Sequence, residues 1–417
     1  MRRRGVAASR RKKLNGYNHE HMFGRAPRLI LGRELDLAAH VITDDVADLA
    51  LRDLSSHAVL VTAGDDASAL ANQLTGQVLL QDVPCIIFDT RGSLLTEAAM
   101  RSDAEFFERV SVTRYDPGSG ESAGIFAAYM APPDSSISWQ RQGDLLRDHI
   151  ARLCRSLLDR LGLPSDPATS REHVLLAAIF ESAWRAGQRI NPADLVQMIN
   201  HPPLSRVGEF DMDVFIPTEQ RTTLALAFSE LASSGIFGHA DDAGVIDAAR
   251  LLQPDRSGGG MNPAGRTRAT VFDVSGLDSR DRCFFASTVM AQLLLWMRLK
   301  SGVPHLRCVV YIADADTFTP EPVQALLRFG RAAGFGIVVH TERPVELVPD
   351  MLTRVGLGIL GYGVDGLDVL VGTCPAFDRD ALAERAPFLP EHTFLLCVGP
   401  SRDRPQTPLP AIFRLPD

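Results

Sequence analysis

Lysine is nearly absent from this chain. Of its 43 basic residues only Lys12, Lys13 and Lys300 are lysines, so no ammonium side chain is available between residues 13 and 300. Paired cysteines are absent too. Cys85, Cys154, Cys283, Cys308, Cys374 and Cys397 lie far apart, mostly inside apolar runs, with no C-x-x-C spacing. That pattern excludes a disulfide framework and a zinc ribbon, and it fits buried thiols in a reducing cytoplasm. Apolar runs of bilayer length are also missing. The most apolar helical stretch, Cys283 to Met297, is interrupted by Ser287, Thr288 and Gln292 and is too short to span a membrane, so no membrane partner is expected. His57, His173, His201 and His305 lack metal-ligand spacing, and Ser93 and Ser119 sit in no recognisable Ser-His-Asp arrangement. No internal repeat is visible.

A chain of 417 residues that is 45% hydrophobic and 23% charged can bury one large core and a smaller one. The net charge of −8 argues against a general nucleic-acid coat. The start departs from that balance: MRRRGVAASRRKK carries seven basic residues, and residues 1–27 read as a disordered basic tail able to touch phosphates by counterion release. Short Val/Ile-rich runs then recur: HAVLVTA (57–63), PCIIFDT (84–90), ATVFDVSGL (269–277), RCVVYIADA (307–315), GIVVHTE (336–342) and LGILGYG (357–363). Most are followed by helical periodicity, which implies a parallel sheet covered on both faces.

The organisation expected is a small β-rich segment at 28–55, a first core part at 56–102, an all-helical insertion at 103–254 and a flexible Gly/Arg loop at 255–268. A second core part at 269–400 and a C-terminal extension at 401–417 follow. Within the insertion, Ser170 before Arg171 and Asn191 before Pro192 fit helix N-caps.

Residues 61–70, VTAGDDASAL, lie where a strand gives way to a helix, the place of the phosphate loop in a nucleotide-binding α/β protein. A working loop follows G-x-x-x-x-G-K-[ST]: glycines free the amides to cradle phosphate, lysine reaches the β- and γ-phosphates, and the hydroxyl binds Mg²⁺. Thr62, Ala67, Ser68 and Ala69 take those four places, so all four are altered. Gly64 keeps part of the turn, while Asp65 and Asp66 put carboxylates where phosphates would lie. A charge pair about 4 Å apart is worth roughly 1 kcal/mol in water and about 4 kcal/mol near a protein surface. Exchanging lysine for aspartate therefore opposes Mg-ATP. The expectation is that the two aspartates cap the amides of the following helix in place of phosphate.

Longer segments carry a family resemblance. LSSHAVLVTAGDDASAL is similar to a strand and phosphate loop written L-T-T-H-A-V-I-V-G-x-T-G-S-G-K-T, DVPCIIFDTRGSLL to P-x-I-I-x-D-x-K-G-D-L, and YDPGSGESAGI to Y-T-P-G-S-x-x-G. SREHVLLAAIFESAWRAG, DRCFFASTVMAQLLLWMRLKSGVPHLRCVVYIADA and RFGRAAGFGIVVHTERP continue the match, in order, across most of Ser55 to Gly363. Together they resemble the HerA/FtsK superfamily of hexameric DNA-pumping ATPases, specifically bacterial HerA-like proteins with a helical insertion. The resemblance implies a RecA-like P-loop NTPase fold whose parallel sheet is interrupted by an all-helical insertion domain.

The resemblance also locates further departures. Its second motif ends a strand in Asp-Glu, for Mg²⁺ and the attacking water. Here either Ala313 and Asp314 or Asp314 and Ala315 take the two places, so one carboxylate is missing, and Asp314 and Asp316 are the residual metal candidates. The sensor segment A-T-Q-N-P corresponds to HTERP, which puts Glu342 at the glutamine and exchanges a donor for a negative charge. The R-A-F-G segment persists as Arg331-Ala332-Ala333-Gly334, and Arg331 resembles the arginine offered to a neighbouring subunit's nucleotide. Arg331 also reads as a solvent-facing residue of the last helical turn.

The function expected is therefore a degenerate ATPase-fold protein that does not hydrolyse ATP and needs no cofactor, acting as a structural or regulatory partner of an active ring ATPase or a DNA-processing complex; the partners expected are self or homologous ATPase subunits, in a ring-like oligomer, and DNA. Two alternatives stay open: an active ATP-dependent DNA translocase that uses Mg-ATP through a divergent loop, and a protein-interaction scaffold with no nucleic-acid role.

Overall fold

In the computed structural model the described residues are 27–100, 104–119, 130–132, 137–233, 248–256, 265–400 and 410–416. The basic tail apart from Pro27, the centre of the 255–268 loop and most of the C-terminal extension lie outside them. The strands are β1 (Arg28–Asp36), β2 (Val41–Ala50), β3 (Ala58–Val61), β4 (Cys85–Asp89), β5 (Val110–Tyr115), β6 (Arg206–Val207), β7 (Phe210–Asp211), β8 (Thr267–Asp273), β9 (Cys308–Ile312), β10 (Phe335–Thr341), β11 (Leu357–Gly361), β12 (Thr393–Val398) and β13 (Ala411–Arg414). The helices are α1 (Gly64–Leu80), α2 (Ala104–Arg109), α3 (Trp139–Arg160), α4 (Arg171–Arg185), α5 (Pro192–Asn200), α6 (Met212–Phe215), α7 (Thr218–Ser233), α8 (Ala248–Leu251), α9 (Ser279–Leu299), α10 (Pro320–Ala333), α11 (Pro349–Leu352), α12 (Leu367–Thr373) and α13 (Arg379–Arg385).

The apolar runs form the sheet because no polar face is left over. AVLV of β3, CIIFD of β4, CVVYI of β9 and FGIVVHT of β10 are buried at every position, which is the signature of strands covered on both sides. The sheet order is β2-β1-β13-β12-β11-β3-β10-β9-β4-β8-β5. From β11 to β5 all pairings are parallel. β12, β13, β1 and β2 extend the sheet antiparallel.

Alternate residues divide between two cores. Leu60 and Ile87 pack with Leu70, Leu74 and Val78 of α1, whereas Val59 and Phe88 meet Phe285 and Val289 of α9 and Leu326 of α10. The helical insertion has a third core, built from Leu153, Ile179, Phe180 and Phe228 and closed by Phe284 and Ala291 of α9. α9 is thus buried toward the sheet and toward the insertion, as its nearly all-round apolar sequence requires. Ser170 caps α4, its side chain accepting from the His173 amide, and Asn191 forms a capping box at α5.

One boundary and one element differ from the sequence reading. The insertion was expected from residue 103, but β5 pairs in parallel with β8, so the helical segment begins beyond Tyr115. VSVTRY lacks the long apolar run of a central strand because it is the sheet edge. The insertion also holds the short β6–β7 hairpin.

His57 ties the sheet to α10: its Nδ1 accepts from the Ile337 amide at 3.1 Å, and its Nε2 donates to the Leu327 carbonyl at 2.9 Å. Burial pushes its pKa down to about 4, and does the same for His149, which stacks on Trp184. The unfolded chain, with histidines near 6.5, takes up protons before the folded one does. Stability is therefore full above about pH 6.5 and falls as pH drops toward 4, by about 3 kcal/mol per ring at the limit. Urea titrations across this window should show the loss, with a shallower slope in His149→Phe; an unchanged slope would contradict the assignment.

Candidate functional site

β3, β10, β9 and β4 are neighbours in the sheet, so the residues just past their C-terminal ends converge, as in other open α/β sheets. These are Thr62–Gly64 after β3, Glu342 after β10, Asp314 after β9 and Thr90–Arg91 after β4. The phosphate-loop spacing would leave Thr62 to Ala67 as a loop between strand and helix. Instead β3 ends at Val61 and α1 begins at Gly64, so most of that loop is wound into the helix. Gly64 permits the turn by its left-handed φ of 63°. The amides of Ala67, Ser68 and Ala69, which would cradle phosphate, fall within the helical hydrogen-bond ladder instead.

The space is filled by side chains of this chain. Arg91 pairs with Asp314 at 3.2 Å and with Glu342 at 2.5 Å, and it donates to the Gly64 carbonyl at 3.0 Å. Glu342 accepts from the Gly64 amide at 3.2 Å. A carboxylate thus caps the positive end of α1 where an anion would bind. Thr90 donates to Asp314 at 2.5 Å. His340 accepts from the Asp314 amide at 3.2 Å and meets the Thr62 carbonyl through Nε2 at 2.9 Å. A carbonyl only accepts, so Nε2 carries a proton, while Nδ1 faces both the Asp314 amide and, at 3.3 Å, the Asp314 carboxylate. Asp314 itself is left-handed, φ 44°, a conformation aspartate tolerates better than most residues.

The electrostatics are closed. Burial opposes the Asp314 charge, but His340, 3.3 Å from it, together with Thr90 and Arg91 holds its carboxyl well below the usual range. Burial likewise opposes Glu342, and Arg91 with the Gly64 amide lowers it. Burial works against the Arg91 charge, and the two carboxylates more than offset it, raising the guanidinium above its ordinary value. The space beside this network, lined by Ala67, Ser68, Asp89, Arg91, Ser93 and His340, amounts to about 10 Å³, room for about one water.

The sequence-predicted residues separate into three groups. Thr62, Gly64, Asp314 and Glu342 are brought together. Ala67 is buried, Ala69 is exposed, and Ser68, at the lysine position, meets the Ser93 hydroxyl at 3.0 Å. Asp65 and Asp66 correct the expectation that they replace phosphate as caps: Asp65 is exposed, Asp66 pairs with His392 at 2.9 Å, and Glu342 does the capping. Asp316 bonds Thr341 at 2.7 Å and Arg343 at 2.9 Å. Among the described residues no cluster of three His, Cys, Asp or Glu side chains could hold a metal.

Arg331 lies elsewhere. α10 crosses back from the end of β9 to the start of β10 and stops at Gly334, whose φ of 80° and close approach to the His305 carbonyl suit no side chain. Arg331 therefore sits at the opposite end of the sheet, exposed and without a carboxylate partner among the described residues. Arg91, Thr90 and His340 were missed. Arg91 had a signal, since it occupies the lysine position of P-x-I-I-x-D-x-K-G-D-L.

Fold and strand-end site together define the P-loop NTPase fold class. The chain is similar to VirB4 of Thermoanaerobacter pseudethanolicus, with a TM-score of 0.59 and 13% identity over 94% of this chain and 97% of the other. It is also similar to the bacterial conjugative coupling protein TrwB, with a TM-score of 0.58 and 11% identity over 97% and 91%, and to TrwB in complex with the GTP analogue GDPNP, with 0.56 and 11% over 96% and 92%. No protein-family description and no curated sequence matches the chain. At such low identity the likeness carries the fold, which agrees with the superfamily resemblance in the sequence. No helix among the described residues is long and apolar enough to cross a membrane.

Arg91→Met leaves two partly buried carboxylates facing each other and should cost about 1–3 kcal/mol in urea unfolding. Adding Glu342→Gln should recover part of that loss. Because both carboxyls titrate below their unfolded values, the network's contribution is full above about pH 4.5 and is lost as pH falls through the folded values. A cost below about 0.5 kcal/mol for Arg91→Met, or strict additivity of the pair, would remove the network from the account.

Proposed function

We propose that this chain is a HerA/FtsK-like ATPase-fold protein that does not hydrolyse ATP and serves as a structural or regulatory subunit beside an active ring ATPase or a DNA-processing complex. The observation carrying this reading is that Glu342 and Arg91 occupy the phosphate position while the loop that would hold phosphate is helical. Several independent losses point the same way: no lysine at Ser68, no second carboxylate beside Asp314, and a carboxylate at the sensor position. The scaffold around these positions persists, the economical outcome when shape is retained and catalysis is not.

Arg331 supports the partner half of the reading. It is exposed at the sheet end remote from its own loop, so only another subunit's nucleotide is within its use. TrwB has been captured with ADP and Mg²⁺. A chain of that fold with a self-filled site would keep the form of such a subunit without its ligand. DNA enters as a partner through ancestry and the basic tail.

Calorimetric titration with Mg-ATP tests the reading. The natural chain should give no Mg²⁺-dependent heat and no turnover. Binding should appear in a chain carrying Asp65→Gly, Asp66→Ser, Ala67→Gly, Ser68→Lys, Ala69→Thr, Arg91→Lys and Glu342→Gln. Mg²⁺-dependent binding at micromolar affinity by the natural chain, abolished by Asp314→Asn, would contradict the proposal and favour an active translocase.

A further inference from the structure

A second cleft lies between the insertion helix α3 and the core helix α9, beside Thr319 at the start of α10. Its wider part has a volume of about 340 Å³ and runs into a narrower part of about 20 Å³; the two share Ser156, Asp159, Ser287 and Thr319. The wider part has room for a small anion, and the junction of two structural units is a common place for a small-molecule site.

Its charge is not exhausted by internal pairing. Arg152 is taken by Glu321 and Asp148, and Arg160 by Asp281. Arg155, half-buried, lines the narrower part with no ion pair to a carboxylate among the described residues, and Arg280, exposed, lines the wider part with Asp278 as its charged neighbour. Ser156, Ser287 and Thr319 add hydroxyls. The N-terminal ends of α9 and α10 both face this region; Asp278 caps α9, Asp281 and Glu321 lie in the two first turns, and Thr319 makes no capping bond with its side chain, so the helix dipoles are largely met by carboxylates and the arginines carry the positive charge of the cleft. Guanidinium forks with hydroxyl donors are the groups that bind phosphate. Asp159 and the Arg152-paired Glu321 are the carboxylates that line the cleft.

We propose that this cleft binds a phosphate-bearing ligand, its phosphate held by Arg155 and Arg280 with the hydroxyls of Ser156, Ser287 and Thr319. An occupant would touch insertion and core together and fix them against each other. The proposal is independent of the phosphate loop and needs no Mg²⁺.

The test is calorimetric titration of the full chain with sodium pyrophosphate, without Mg²⁺ and at low salt, beside an Arg155→Gln/Arg280→Gln variant of matched thermal midpoint. Saturable binding is expected in the natural chain, weakened about tenfold or more in the variant. Cys283 locates the event: it lines the cleft and is half-buried, whereas the other five cysteines are buried, so pyrophosphate should slow its alkylation. A mononucleotide and a short duplex DNA then compete with pyrophosphate. Preference for the first identifies a small molecule, preference for the second a nucleic-acid backbone, and either supports a phosphate site. No saturable heat, or binding and Cys283 protection that survive the double substitution, overturns the proposal.

Discussion

The arrangement at the strand ends depends on one guanidinium. Arg91, placed after β4, spans neighbouring strand ends to reach Asp314, Glu342 and the Gly64 carbonyl together. Neighbouring strands lie about 4.8 Å apart, so such a bridge needs a long side chain with several donors in fixed directions, which describes arginine better than lysine. Without Arg91, two carboxylates and the first turn of α1, which carries Asp65 and Asp66, would share one small space. With it, the sheet crevice is neutralised from within.

That pairing explains why the loop can wind into helix. An open phosphate loop is held in shape by the anion it surrounds. Here Glu342 satisfies the Gly64 amide, and the amides from Ala67 onward gain helical hydrogen bonds. The aspartates are then ordinary first-turn residues, favoured by the helix dipole without needing to cap. The same α10 that positions the strand ends carries Arg331 away to the other end of the sheet, which separates what the chain does for itself from what it offers a neighbour.

Much of the fold was legible in the sequence because burial on both faces writes itself as unbroken apolar runs: β3, β4, β9 and β11 lie inside the runs read from the sequence, and β10 does so but for Phe335. The caps at Ser170 and Asn191 were legible because capping is local chemistry. β5 inside the supposed insertion and β13 were not, since VSVTRY and AIFR mix polar and apolar residues; β12, TFLLCV, is apolar and buried, but nothing local marks it as antiparallel. At the site, the altered loop, Asp314 and Glu342 were visible as departures from a motif. Which carboxylate would cap α1 was not, because Glu342 lies 278 residues from Gly64 in the chain and only the sheet order brings the two together. Arg91 was within reach of the same comparison, but its importance follows from its partners, not from its type.

Amide hydrogen exchange at residues 64–69 tests the central claim most directly. The account predicts helical protection at Ala67, Ser68 and Ala69 in the natural chain, unchanged by millimolar Mg-ATP and weakened by Glu342→Gln. Rapid exchange at these amides that becomes protected when Mg-ATP is added would mean that the loop is open and awaits phosphate, and would contradict it.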